Sequence, residues 1–181
     1  MTEVCNFVVA DEETANLIVR NIPGTGTDLR IVISSLRCRG EADSPAICLR
    51  FGNSGVFRVR DRYESVLDSA LRATGRGNHR GQVFDYDYAV IAEKIATDRT
   101  SDPGARGAIL VEVPDYANSH YPKSFFARHT SPPKRQGLLG TNIRMQMSCG
   151  MWDSTKAITD IELSVPGLHF CPGTRIRVVV E

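Results

Sequence analysis

The sequence predicts an all-β protein, a sandwich or barrel of short strands. Three observations carry this. About eight short segments alternate apolar and polar residues or are dense in β-branched ones. The 15 glycines and 9 prolines include several that fall between those segments, where they set turns. Only one stretch, Phe57 to Leu71, has a helical spacing of apolar residues. Many short strands with Gly/Pro turns and almost no helix is the pattern of a β-sandwich or barrel.

Residues 1–14 read as an N-terminal arm, with an apolar patch Phe7-Val8-Val9 followed by acidic residues. Residues 15–181 then form a single domain, long enough to bury a sizeable core. Ala15 to Arg20 is a strand, closed by the Pro and Gly of Asn21-Ile22-Pro23-Gly24. Leu29 to Arg37 is a strand with Ile31 and Ile33 on one face and Val32 and Leu36 on the other. Ala46 to Phe51 alternates through Ile47, Leu49 and Phe51, and should form a hairpin with the preceding strand. Cys38 and Cys48 flank the loop of that hairpin almost symmetrically and are a candidate cross-strand pair.

Phe57 to Leu71 is expected as a short helix, and Gly75 to Gly81 as a loop. Asp85 to Ala92 alternates in part, as a strand does. Ala108 to Val113, ended by Pro114, and Lys123 to His129 are strands. Asn142 to Cys149 alternates throughout, and the apolar set Ile143, Met145, Met147 and Cys149 is expected to face inward. Ile161 to Val165 and Arg175 to Val180 complete the series. The segment GMWDSTKAITDIEL, residues 150–163, first looks like a capped helix, but its β-branched residues and final alternation make it a loop running into a strand.

Charge and composition narrow the function. Lys plus Arg is 22 against 21 Asp plus Glu, a net charge of +1, so no global field favours nucleic acid or an acidic membrane. No apolar run approaches the roughly 20 residues of a membrane span, and the N-terminus is acidic rather than signal-like. Synthesis in a cytoplasm is expected. The five cysteines form no CxxC pair, and most read as small buried hydrophobes. If some pair after release from the cell, an odd count leaves one for another chain, and Cys5 in the arm is the first candidate.

Catalytic patterns are missing: no GxSxG, no GxGxxG after a strand, no phosphate loop and no HExxH. His79, His120, His129 and His169 are scattered, and surface or hairpin histidines are commoner than metal ligands. Asp85 and Asp87 share a strand face and suit acid–base work or calcium, against the plainer reading of a solvated face. Arg99, Arg106, Lys134 and Arg135 sit in loops, where ordinary solvation outweighs anion binding. Exposed aromatics stack on sugars, and Tyr116, Tyr121 and Trp152 are the candidates; Trp152 fits the closing of a core end better. The reading carries no enzyme activity, cofactor or metal.

Several blocks resemble β-sandwich domains of tailed-phage particles that end tail fibres or related virion appendages. Leu17 to Pro23, Asp28 to Ile33 and Ile47 to Asn53 follow that family's order loosely, and Phe51-Gly52-Asn53-Ser54-Gly55 lacks its aspartate. Ile109 to Ala117 resembles its "I-x-I-x-D-Y-A", and Tyr121 to Phe125 its "K-Y-K-T". Residues 150–163 resemble "G-x-W-x-S-T-x-A-I-T-x-I-x-L" at nearly every position. Phe170 to Ile176 resembles "F-x-x-G-S-x-F".

The resemblance implies a jelly-roll-like antiparallel β-sandwich with at most one short helix. It implies that Trp152 is buried at a sandwich end and that the Ser154-Thr155 loop carries the chain between sheets, with Ile158 and Thr159 starting a strand. It further implies a structural virion component, a collar, neck, tail or head-decorating appendage. Its partners would be itself, as a homotrimer, and other virion proteins, without nucleic acid or membrane insertion. Cys5 and Cys171 would be candidates for interchain disulfides. The alternative is a receptor- or glycan-binding module for host attachment, contacting its ligand through Tyr116 and Tyr121.

Overall fold

The computed structural model describes residues 1–10, 14–40, 45–57, 63–68, 82–97, 101–102, 104–131 and 144–181. Among these, the chain is an antiparallel β-sandwich without helix. Its strands are β1 (Thr2–Val8), β2 (Asn16–Val19), β3 (Leu29–Leu36), β4 (Cys38–Arg39), β5 (Ala46–Gly52), β6 (Tyr63–Asp68) and β7 (Gln82–Tyr86). They continue with β8 (Ala89–Glu93), β9 (Gly107–Val113), β10 (Lys123–Ser131), β11 (Arg144–Trp152), β12 (Asp160–Ser164), β13 (His169–Phe170) and β14 (Arg175–Val180). One sheet has eight strands in the order β1-β14-β3-β9-β10-β11-β6-β7; a second has four, β2-β12-β5-β8; β13 and β4 form a small pair. One apolar cluster joins the sheets, built from Leu29, Ile31, Ile33, Val111, Phe125 and Val178 on the large sheet and Ile47, Leu49, Phe51, Ile91, Ile161 and Leu163 on the small one.

The expected hairpin between Leu29–Arg37 and Ala46–Phe51 does not form. β3 pairs with β14 and β9, whereas β5 pairs with β12 and β8, so neighbours in sequence enter different sheets. The proposed Cys38–Cys48 pair therefore fails: Cys38 lies opposite Phe170 in the small pair, and Cys48 opposite Ser164 and Val90. Leu36 was expected on the face of Val32. A register shift between Ile33 and Leu36, with Ser35 in the left-handed region at φ 53°, breaks the alternation and leaves Leu36 buried like Ile31 and Ile33. Within the stretch expected to be helical, Tyr63–Asp68 is a strand between β11 and β7; the flanking residues lie outside the described set.

The segment read as an N-terminal arm contributes β1 to the large sheet. β1 pairs with β14 from Thr2↔Val180 to Val8↔Arg175, with a register shift between Glu3 and Cys5. It covers an edge that would otherwise present unpaired backbone groups of β14. Most of its side chains stay exposed, Phe7 and Val8 among them, while Val4 and Cys5 pack partly on the core.

Cys48 is buried in β5, and burial pushes its thiol up to about 12 from the ordinary 9.0. The unfolded thiol ionises near 9.0 and the folded one only near 12. The contribution to stability is therefore complete below pH 9.0 and is lost as pH rises towards 12. Each such thiol adds a slope of about 1.4 kcal/mol per pH unit, and Cys38, raised by burial and then by Cys171, acts in the same direction. Urea unfolding across this window should show the fall, and Cys48→Ala should flatten it by one thiol's share. An unaltered slope in the variant would contradict the assignment.

Candidate functional site

The outer face of β10 and β11 departs most from what the sequence led us to expect. The alternation of β11 has the right period and the opposite phase. Gln146 and Ser148 are buried, while Met145 is 44% and Met147 57% exposed, and Cys149 is also exposed. The inner polar groups have specific partners. Gln146 Oε1 accepts from Glu93 N at 3.0 Å and lies 3.2 Å from Nδ1 of the buried His129. Ser148 Oγ donates to Ile91 O at 3.2 Å. Glu93 and Ile91 belong to β8, an edge strand of the small sheet, so side chains of one sheet satisfy the open edge of the other. A methionine at position 146 or 148 would leave those backbone groups bare.

The cost appears outside. Phe126 on β10 is 51% exposed and lies directly across from Cys149; Arg128 lies across from Met147, and Thr130 from Met145. Half-exposing a large apolar side chain forgoes on the order of 1 kcal/mol of burial, so Phe126, Met145 and Met147 together forgo roughly 3 kcal/mol. On the β9 side of the face the charges are engaged within the chain. Arg128 bridges to Glu112 at 3.0 Å, Glu112 to Arg30 at 3.7 Å, and Arg30 to Glu181 at 2.9 Å. What the face offers a partner is apolar and sulfur-rich, the adaptable kind of surface methionine makes.

A second feature is the sandwich end where the resembling blocks converge. Trp152 ends β11, is 1% exposed, and packs 5.9 Å from the Phe51 ring, which meets Phe125 edge-on at 6.1 Å. The chain then crosses to the small sheet and enters β12. In the crossing, Ser154 Oγ accepts from Lys156 N at 3.3 Å, and Thr155 O accepts from Lys123 Nζ at 3.3 Å. Ile158 N donates to Tyr116 O at 3.0 Å, Thr159 N to Gly52 O at 3.0 Å, and Ile22 N to Thr159 O at 2.9 Å. Thr159 Oγ1 accepts from Ser54 N and donates to Asp160 Oδ2, both at 2.7 Å; Asp160 Oδ2 also accepts from Gly55 N at 2.8 Å. The blocks around residues 22, 53, 116 and 155 are thus stitched to one crossing. Each group in this network bonds a backbone N–H or C=O and so ties the crossing to its neighbours.

Of the two tyrosines read as glycan contacts, Tyr116 is corrected. It is fully buried, its hydroxyl donates to Pro23 O and accepts from Gly26 N, and burial raises its phenol above the ordinary value. Gly26 is needed there because a Cβ would lie 2.8 Å from the Tyr116 hydroxyl and 2.7 Å from Glu181 O. Tyr121 is 50% exposed, and its hydroxyl donates to Asp115 Oδ2 at 3.1 Å, a bond that raises its phenol. Asp115 holds a left-handed backbone at φ 50°.

The remaining expectations scatter. Cys5 is half-buried in β1 and Cys171 half-buried after β13, while the most open thiol, Cys149, was assigned inward by its sequence phase. His120 and His169 are exposed and far apart in sequence context, on a turn and on β13. Asp85 lies in β7, and Asp87 is exposed beyond its end. Arg106 is exposed; His79, Arg99, Lys134 and Arg135 lie outside the described residues. Among the described residues no group of three His, Cys, Asp or Glu is placed to hold a metal ion. No helix there is long and apolar enough to cross a membrane. Comparison with known proteins finds no matching family model, no matching curated protein and no matching solved structure.

Proposed function

We propose that the chain is a structural assembly subunit that joins copies of itself through the outer face of β10 and β11. The observation that carries this is the inverted phase of β11, with Gln146 and Ser148 inside and Met145 and Met147 outside. The face carries Phe126, Met145 and Met147, and Arg128 between them is paired within the chain, so a second copy of the same face is the partner we propose. The setting we propose, a collar, neck, tail or head-decorating appendage of a tailed-phage particle, rests on the resemblance of residues 150–163. The symmetric oligomer is proposed to be a trimer.

Light scattering after gel filtration tests the reading. The wild-type chain should elute as a symmetric oligomer, and Met147→Lys combined with Phe126→Ser should elute as a monomer with an unaltered melting temperature. A wild-type monomer at micromolar concentration would overturn the proposal. A second reading is favoured by Tyr121, whose half-exposed ring is anchored through its hydroxyl to Asp115 and offers a stacking surface to a glycan. Glycan-array binding that disappears in Tyr121→Ala would support it.

A further inference from the structure

We propose that Cys149, with the thioethers of Met147 and Met151 on either side of it, is a binding site for one soft monovalent metal ion, Cu⁺ or Ag⁺. The inverted phase of β11 creates the site. The chain has 4 methionines, and three of them, Met145, Met147 and Met151, stand with Cys149 at alternate positions of this one strand. Alternate residues of a strand share a face. Gln146 and Ser148 take the inner positions, so the sulfurs form one row on the outer face. Met145, Met147 and Cys149 are exposed, and Met151 is half-buried. Of the five cysteines, Cys149 is the one exposed thiol.

Spacing and donor chemistry both fit such an ion. Neighbouring residues of the row have Cα atoms about 6.8 Å apart, two strand rises of about 3.4 Å. A metal–sulfur bond is about 2.3 Å, so an ion held in line between two sulfurs sets them about 4.6 Å apart. The difference is a lean of about 2 Å shared between two side chains, and methionine, with three rotatable bonds, adapts readily. One thiolate and one thioether therefore reach a common ion from a single strand without backbone movement. The row itself holds no imidazole or carboxylate and does not surround an ion tetrahedrally, as zinc requires; thiolate and thioether donors select Cu⁺.

The surroundings favour the Met151 side. Met147 lies across from Arg128, whose charge opposes a cation even though it is bridged to Glu112 at 3.0 Å. Cys149 and Met151 lie across from Phe126 and Ser124 on β10, and in register with Val66 and Glu64 on β6, so no cationic residue is in register with that pair. Leucine would supply similar apolar volume, so packing alone gives no reason for sulfur at every second position. Binding exchanges ligands without electron transfer. The Cys149 thiol gives its proton to the buffer as the sulfur takes the ion, and the thioether adds a lone pair, so one proton is released per ion.

The test is calorimetric titration of Ag⁺, in chloride-free buffer, into the reduced full chain carrying Cys5→Ser and Cys171→Ser, which leaves Cys149 as the only thiol that is not buried. One ion per chain is expected, with a heat that varies with the ionisation enthalpy of the buffer as one released proton requires. Adding Cys149→Ser should abolish the site. Adding Met147→Leu and Met151→Leu instead should weaken it about tenfold or more, the loss of one modest contact. Silver bound with unaltered affinity by the leucine variant would leave a plain surface thiol and overturn the proposal, as would a chain with Cys149 that takes up no ion. The site shares the face proposed for assembly but does not rest on that reading. The leucine pair keeps the face apolar, so gel filtration of the same samples reads assembly separately, and a monomer that binds silver would overturn the assembly reading alone.

Discussion

Replacing Trp152 with alanine is expected to cost about 3–5 kcal/mol, close to what an isolated domain of this kind has to lose. The side chain is 1% exposed at the end of β11, and its ring lies 5.9 Å from Phe51 in the opposite sheet. Phe51 in turn packs on Phe125, so truncation removes one flank of the central ring of an aromatic trio and leaves a void there. The backbone around it is pinned by Ile158 N to Tyr116 O and Thr159 N to Gly52 O, which limits how far the walls can collapse. A site that cannot collapse keeps its cavity and sits at the upper end of the range. For a chain of this length the change lowers the melting temperature by roughly 10 °C or more. Calorimetry or far-UV circular dichroism reads it, because the variant has lost the chain's single tryptophan and with it the natural fluorophore. Trp152→Phe keeps an aromatic partner for Phe51 and should lose distinctly less. A loss below 1 kcal/mol in Trp152→Ala would mean that the sandwich end is not closed by this ring.

What was legible in the sequence, and what was not, separates along a physical line. Period-two alternation identified β5, β11 and β12, because a strand's two faces repeat every second residue whatever surrounds them, and β-branched, apolar density identified β3. The phase of β11 was not legible. Alternation says that two faces differ, and hydrophobicity then nominates the methionines as the inner one. The choice is made instead by β8, whose open edge at Ile91 and Glu93 needs a hydroxyl and an amide opposite it. That edge is created by long-range topology, and nothing near residue 146 announces it. The same limit explains the failed hairpin. Short separation made β3 and β5 look paired, yet their partners are β14 and β9 for one and β12 and β8 for the other, all of them far along the chain. Leu36 was misplaced by a bulge at Ser35, a residue with no special claim to a left-handed backbone. Trp152 is buried at the sandwich end, as expected, and the segment after it hydrogen-bonds residues 22, 52, 54, 55 and 116 to one crossing. The apolar face was hidden by the phase error, since residues assigned to a core cannot be read as a surface.

Removing the ammonium of Lys123 while keeping its stem, as in Lys123→Met, is expected to destabilise the fold by about 2–4 kcal/mol. The residue is 1% exposed at the start of β10, across the ladder from Trp152. Its Nζ donates to Tyr121 O at 2.9 Å and to Thr155 O at 3.3 Å, tying the turn before β10 to the crossing after β11. Methionine fills similar volume but donates nothing, so two carbonyls at a closed sandwich end are left without this donor. Each orphaned group costs about 1–3 kcal/mol, and relief from burying a charge offsets part of the sum. The pH dependence separates this account from simple loss of packing. Burial lowers the Lys123 pKa from its ordinary 10.5, opposed by the nearby Asp115 carboxylate. A depressed pKa in a base means that the folded state sheds its proton first. In the window below 10.5 the unfolded chain binds more protons, and stability contributed by this residue rises with pH. The neutral amine still donates, so the two carbonyl contacts survive while the desolvation cost disappears. The advantage of wild type over Lys123→Met should therefore widen as pH approaches 10.5, with the thiol and phenol titrations common to both chains cancelling in the difference. Urea unfolding of both proteins at matched pH measures it. A difference that stays flat or narrows as pH rises would show that the ammonium is not held in a desolvated cage.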